Sequence, residues 1–188
     1  MRIPAWLLIV TAVTPIACGK SSTSPTGMTT LNVMMKDTPF TDAKALFVTF
    51  STVSAHLSGG DFMTLPFTGG ASSRTCDLKK LTSAQDVLGT GPLPTGHYTE
   101  IRLVVSNSTV YFDSASTGAA CGATLTPPPG ASAAVQIASG DVKLNREFDL
   151  MSATATTVTL DFDGNQSVKA VGNGQYLMTP VIGIVSVQ

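Results

Sequence analysis

Residues 97–106, HYTEIRLVVS, carry the clearest fold signal in this chain. Ile101, Leu103 and Val105 alternate with Arg102 and other residues on the opposite face, and a period of two is typical of a strand with one buried face. The same pattern recurs in further segments, at residues 31–35, 46–50, 133–137, 142–150, 154–162 and 167–171. About nine or ten short strands with frequent turns predict an all-β fold, a single antiparallel β-sandwich.

Composition narrows the class of protein. Of the 188 residues, 43% are hydrophobic and 12% are charged, so the chain is too apolar and too weakly charged to be disordered throughout. Eleven basic residues stand against twelve acidic ones, without a basic run. A surface of that kind cannot neutralise many phosphates, which argues against a nucleic-acid partner.

Several segments interrupt the strand pattern. Residues 81–88 are the one stretch with helical spacing, and Pro92 and Pro94 predict a loop over 92–96. Asn107-Ser108 predicts a turn before a further strand over 109–112. Residues 113–131 form a long segment rich in Ser, Gly, Ala and Pro. The last apolar run, 176–187, predicts an interior strand with a bulge or an edge position at its proline.

The N-terminus predicts export. Residues 1–17 combine an early positive charge with an apolar run too short to cross a hydrocarbon core of about 30 Å, as in a signal peptide. The sequence Ala17-Cys18-Gly19 resembles the lipobox of bacterial lipoproteins, which implies acylation of Cys18; cleavage without lipidation is the alternative. Residues 18–28 then form the lipidated cysteine and a flexible tether, and 29–188 the β-sandwich domain. The absence of Asp at position 19 favours the outer membrane by analogy with lipoprotein sorting.

The two remaining cysteines, Cys76 and Cys121, predict one disulfide, because an even number of cysteines in an oxidising compartment favours pairing. Two free thiols are the alternative. A crosslink would hold the 113–131 segment on the sandwich.

Few residues suggest chemistry. Asp161 and Asp163 share a strand face about 7 Å apart, a spacing that could serve a cation site or an acid–base pair. A solvated strand end before the turn at Asp163-Gly164-Asn165 is the alternative explanation of these carboxylates. His56 and His97 are far apart in sequence without a ligand spacing, and no serine-nucleophile motif occurs. We therefore expect no catalytic residues, no metal site beyond the two aspartates and no cofactor.

Four clusters carry a resemblance to a known family. They are KDTP at 36–39, LPTGHYTEIRL at 93–103, VTLDFD at 158–163 and GNGQYLMTPVI at 172–182. In this order they resemble the bacterial exported-lipoprotein family catalogued as domain of unknown function four-three-eight-two. The resemblance covers nearly the whole mature chain and implies no activity, so it brings no catalytic or binding residues.

The element Leu93-Pro94-x-Gly96-x-Tyr98 also resembles the strand-entry motif of transthyretin-like and collagen-adhesin sandwiches. This likeness implies a transthyretin-like, or prealbumin-like, sandwich.

The leading functional hypothesis is a non-enzymatic, lipid-anchored domain of the cell envelope that binds a protein or glycan partner through its loops. A carrier of a small ligand or cation is the second hypothesis, and a hydrolase is the third.

Overall fold

The computed structural model describes residues 27–38 and 40–188. Within them, 60% of the chain is in strands and 6% in helices, arranged in two sheets, so the predicted all-β sandwich is confirmed. The thirteen strands of the described residues are β1 Met28–Thr38, β2 Ala45–Leu57, β3 Phe62–Thr64, β4 Arg74–Asp77, β5 Asp86–Pro94, β6 Gly96–Tyr111, β7 Cys121–Gly122, β8 Ser132–Ile137, β9 Asp141–Leu150, β10 Thr156–Asp163, β11 Val168–Gly172, β12 Gln175–Met178 and β13 Ile182–Val187. One short helix, α1, spans Gly164–Ser167.

The smaller sheet has the strand order β13-β10-β1-β5. Its inward face is set by alternation: Leu31, Val33 and Met35 of β1 are fully buried, as are Leu160 and Phe162 of β10. β1 and β10 run parallel. This pairing corrects the prediction of a purely antiparallel sandwich. The two strands can run parallel because a long stretch of chain, and not a hairpin, connects them.

The larger sheet has the order β11-β12-β8-β6-β2-β4-β7, with β3 paired to β2 and β9 paired to β6. β6 is the longest strand, at 16 residues, and it pairs with β2 along nearly its whole length. The inward residues Ile101, Leu103 and Val105 meet the inward face of the smaller sheet in one continuous core. β8 and β12 form the second parallel pair.

The entry to β6 is fixed by a buried tyrosine. Tyr98 is fully buried, stacks on Phe148 with ring centroids 5.5 Å apart, and donates a hydrogen bond of 2.8 Å to the carbonyl of Pro94. Burial raises the pKa of the Tyr98 hydroxyl. Gly96 has a φ of 154°, and a Cβ there would lie 2.9 Å from the Leu57 side chain. The Leu93–Tyr98 motif is therefore a structural device that closes the β5–β6 turn.

The predicted disulfide is present between Cys76 of β4 and Cys121 of β7. Hydrogen bonds supplement it: the amide of Asp77 donates to the carbonyl of Ala120, and the Ser116 hydroxyl donates to the Asp77 carboxylate. Because Asp77 is also buried, the 113–131 segment is held by a polar anchor that the sequence did not reveal.

Three local predictions were wrong. Residues 81–88 do not form a helix; a 3₁₀ turn at Leu78–Lys80 precedes them, and residues 86–88 belong to β5. The predicted loop over 92–96 is largely strand, because β5 is an edge strand whose prolines need no outer hydrogen bond. The predicted turn at Asn107 does not form, because β6 continues through this residue with a shift in its register against β2.

The C-terminal run also differs from its prediction as one interior strand. It divides at Pro180 into β12, which joins the larger sheet, and β13, which joins the smaller one. A proline cannot continue a ladder, so the chain crosses between sheets there. The predicted signal peptide and the predicted lipidation site, Cys18, lie outside the described residues. Within the described part, no helix is long and apolar enough to cross a membrane.

Candidate functional site

The two predicted aspartates lie together at the end of β10, on its outer face. Asp161 forms an ion pair with Lys36, with 3.1 Å between Nζ and Oδ2, and its other oxygen accepts from Thr38. Asp163 caps α1, because its carboxylate accepts hydrogen bonds from the backbone and side-chain nitrogens of Gln166. Both carboxylates are therefore engaged by the chain itself.

A third carboxylate lies at the same end of the sandwich but points inward. Asp37 continues the buried series of β1, is 5% exposed, and neither of its oxygens has a hydrogen-bond partner among the described residues. Burial raises its pKa to about 7, and the nearby Asp161 and Asp163 carboxylates add to this effect. The backbone N–H of Gly164 and the ammonium of Lys79 act in the opposite direction.

These three aspartates do not form a metal centre in the structure. Asp37 lies on the inner face of the sheet, whereas Asp161 and Asp163 lie on the outer face. In the part of the chain that is described, no group of three or more His, Cys, Asp or Glu could hold a metal ion. Cation binding by Asp161 and Asp163 stays a prediction to which the structure adds no further protein ligand.

His97 lies at the exposed start of β6. Its Nδ1 is 2.8 Å from Asp149 and its Nε2 is 3.9 Å from Glu147. Carboxylates therefore lie near both ring nitrogens, and the imidazole belongs to an exposed network of charged side chains.

His56 belongs to a second surface group, which we name the Phe62 cluster: His56, Phe62, Thr99, Glu100 and Arg102. The Phe62 ring lies 4.6 Å from the His56 ring, and the Arg102 guanidinium lies 3.9 Å from its centroid. Glu100 accepts hydrogen bonds of 3.0 and 2.9 Å from Arg102, and Thr99 contacts His56 at 2.9 Å. Phe62 is nevertheless 37% exposed.

Strand register brings this cluster together. His56 of β2 lies directly between Phe62 of β3 and Glu100 of β6. Arg102 pairs with Ser54, a small residue over which its side chain can reach toward Phe62. The sequence does not single out Phe62 or Arg102, because alternation places them on a solvent face but does not show which strands are neighbours. The inward position of Asp37, by contrast, could have been predicted from the spacing of Leu31, Val33 and Met35.

The sequence also matches a known family model, described as "Domain of unknown function (DUF4382)", over residues 28–180. No curated protein and no solved structure matches the chain significantly. The matched region includes every strand from β1 to β12, and it therefore includes the Phe62 cluster and all three aspartates.

Proposed function

The chain belongs to the DUF4382 family, a domain of unknown function, and we propose from its own residues that it is a lipid-anchored, non-enzymatic binding module of the cell envelope. The observation that carries the binding role is the Phe62 cluster. It presents an aromatic ring and a guanidinium, already fixed by intramolecular contacts, on the exposed face of a sheet.

Fixed aromatic and arginine side chains are suited to recognition. Binding costs free energy when rotamer-rich side chains become ordered, at about 0.5–1.5 kcal/mol each, and Arg102 has already lost part of that freedom. Arginine and aromatic residues also dominate the energetics of many protein interfaces. The guanidinium keeps donors that can reach a carboxylate, a carbonyl or a sugar hydroxyl of the partner.

The non-enzymatic part of the proposal is supported by how the histidines are held. His97 faces two carboxylates, and the Nδ1 of His56 contacts a threonine hydroxyl beside the stacked Phe62 ring. Among the contacts of the described residues, neither imidazole links a hydroxyl to an orienting carboxylate, which is the arrangement that activates a nucleophile. We make no proposal for a hydrolase or for a cation carrier, because no observation beyond the sequence pattern favours either.

The binding role is tested by crosslinking in intact cells followed by purification of the chain. Arg102→Ala should remove a partner that the wild-type chain captures, while Lys169→Ala, which removes an exposed cation from β11, should retain it. Phe62→Leu should weaken capture as well, since it removes the ring on which the guanidinium lies. Equal capture by the wild type and Arg102→Ala would refute a role for this cluster.

Anchoring and location rest on the N-terminal sequence. We propose export, acylation of Cys18 and attachment to the outer membrane, with 18–28 as the tether. Cells grown with labelled palmitate should incorporate the label into the wild-type chain, and Cys18→Ser should abolish labelling and release the chain from membranes. A wild-type chain cleaved at another position and left unlabelled would disprove the anchor while leaving the binding role to be judged by the crosslinking experiment.

A further inference from the structure

The sandwich is open along one side, where the edge strands of its two sheets face each other. Within the described residues, β13 pairs only with β10, and β9 pairs only with β6. A groove of about 290 Å³ lies between them, lined on one side by Lys143, Leu144 and Arg146 and on the other by Ile182 and Ile184.

β13 offers unused backbone groups to this groove. Thr157 and Gln188 exchange backbone hydrogen bonds, and the amide of Asp163 donates to the carbonyl of Val181. These bonds show which residues of β13 direct their backbone groups toward β10. Along a strand, successive backbone N–H groups point alternately toward and away from the paired strand. Following this alternation along β13, through the irregularity near Thr159, places the amides of Ile182, Ile184 and Val187 on the side away from β10.

The edge also lacks the residues that normally prevent strand addition. Proteins protect edge strands with charges, prolines or covering elements. Ile182–Val187 contains neither a charged residue nor a proline, and Val185 at its irregularity is 50% exposed. Gly183 leaves open space, because a Cβ placed there would have no neighbour within 4 Å among the described residues.

The segment of β9 that lines the groove carries two cations and no carboxylate, although Asp141 and Glu147 lie just beyond it in the same strand. Lys143 and Arg146 of β9 are exposed, and neither forms an ion pair in the described part of the chain. A second copy entering through its own β13 would bring no carboxylate to these cations, since that strand has none. Charge complementarity therefore favours a different occupant.

We propose that the β9–β13 groove binds an extended, acidic peptide segment, which pairs with the free edge of β13 and places carboxylates beside Lys143 and Arg146. Backbone hydrogen bonds to β13 supply sequence-independent affinity, while the cations select the charge of the segment. The groove and the Phe62 cluster share no residue, but they adjoin, because Arg102 of the cluster lies opposite Lys143 in the β6–β9 pairing. The inference goes beyond the proposed function and does not depend on it.

The test uses the full chain carrying Cys18→Ser and two synthetic peptides of about ten residues. Both alternate Thr with Val; one has two Glu at Thr positions and the other has two Lys there. The acidic peptide should shift the amide resonances of Ile182, Ile184 and Val187, and its binding should weaken as salt is raised. The basic peptide should bind at least several-fold more weakly.

Variants separate the two parts of the recognition. Lys143→Glu should weaken binding of the acidic peptide roughly fivefold, as expected for an exposed charge pair, while Lys169→Glu, an equal charge change elsewhere, should leave it unchanged. Val187→Pro should reduce binding because it removes a free-edge N–H, whereas Val187→Ala retains that donor.

Several results would overturn the inference. They are equal binding of the two peptides, resonance shifts confined to other strands, no binding at millimolar peptide, and dimerisation of the chain through β13 in place of peptide binding. Size-exclusion chromatography with light scattering identifies the last of these.

Discussion

Replacing Asp37 by Asn should stabilise the protein at pH 8 and reduce the pH dependence of its stability between about pH 5 and pH 8. The Asp37 carboxyl is buried without a hydrogen-bond partner among the described residues. Its charged surroundings are Asp161 and Asp163 from β10 and Lys79 from the turn at Leu78–Lys80, with the N–H of Gly164 beside it. Desolvation exceeds the favourable contributions, so ionisation destabilises the folded state.

The sign and size follow from the pKa. Its value rises from 3.8 to about 7 in the folded chain, so the native state binds the Asp37 proton more tightly than the unfolded state does. The associated stability is fully present below the unfolded pKa and is lost as the pH rises through the folded pKa. A shift of about three units at about 1.4 kcal/mol per unit sets an upper limit of roughly 4 kcal/mol. Access of water at the end of the sandwich will lower this, and we expect a change of a few kcal/mol.

Urea denaturation at pH 5 and at pH 8 measures this effect. The free energy of unfolding of the wild type, minus that of Asp37→Asn, should be smaller at pH 8 than at pH 5. The other ionisable groups are present in both chains, so their contributions cancel in the difference. Asp141→Asn is the matched control, because it removes an exposed carboxylate of β9 that is not among the charges acting on Asp37. Parallel pH dependence of the wild type and Asp37→Asn would refute the reasoning.

Three further predictions concern the framework. Tyr98→Phe removes a buried hydrogen bond and should lower the unfolding free energy by about 1–2 kcal/mol in thermal or urea denaturation; an unchanged midpoint would contradict it. Gly164→Ala places a Cβ 2.7 Å from the backbone nitrogen of Phe40, so it should lower the melting temperature, and an unchanged melting curve would show that this contact relaxes without cost. Cys121→Ser removes a crosslink worth up to about 4 kcal/mol, and limited proteolysis should then cut first within 113–131; first cleavage in a core strand would count against this.

Alternation predicted most strands because it is a local property. In a strand, successive side chains point to opposite faces, so the apolar residues at 31–35, 101–105 and 158–162 identify the buried face without knowledge of the partner strand. The helical reading of 81–88 and the loop reading of 92–96 failed for a different reason. Pairing of β5 with β1 outweighed the local preferences of those residues, including two prolines that an edge position accommodates.

The candidate sites depended on information that the sequence does not contain. The sequence correctly placed Asp161 and Asp163 on one face. Only the structure shows that Asp161 forms an ion pair with Lys36 and that Asp163 caps α1. The Phe62 cluster requires β3, β2 and β6 to be adjacent in a particular register. A one-residue slip of either pairing would move its side chains to the opposite face.

The sequence by itself determined the all-β class, the family, the cysteine pair and the faces of most strands, because each follows from local periodicity, motif order or a count. Tertiary structure alone decided that β1 lies parallel to β10, that the last apolar run divides between two sheets, and that β9 and β13 leave a groove open. Strand order and register are set by which distant segments together bury the most apolar surface while satisfying their backbone hydrogen bonds. That competition involves the whole chain, so no single segment of the sequence contains its outcome.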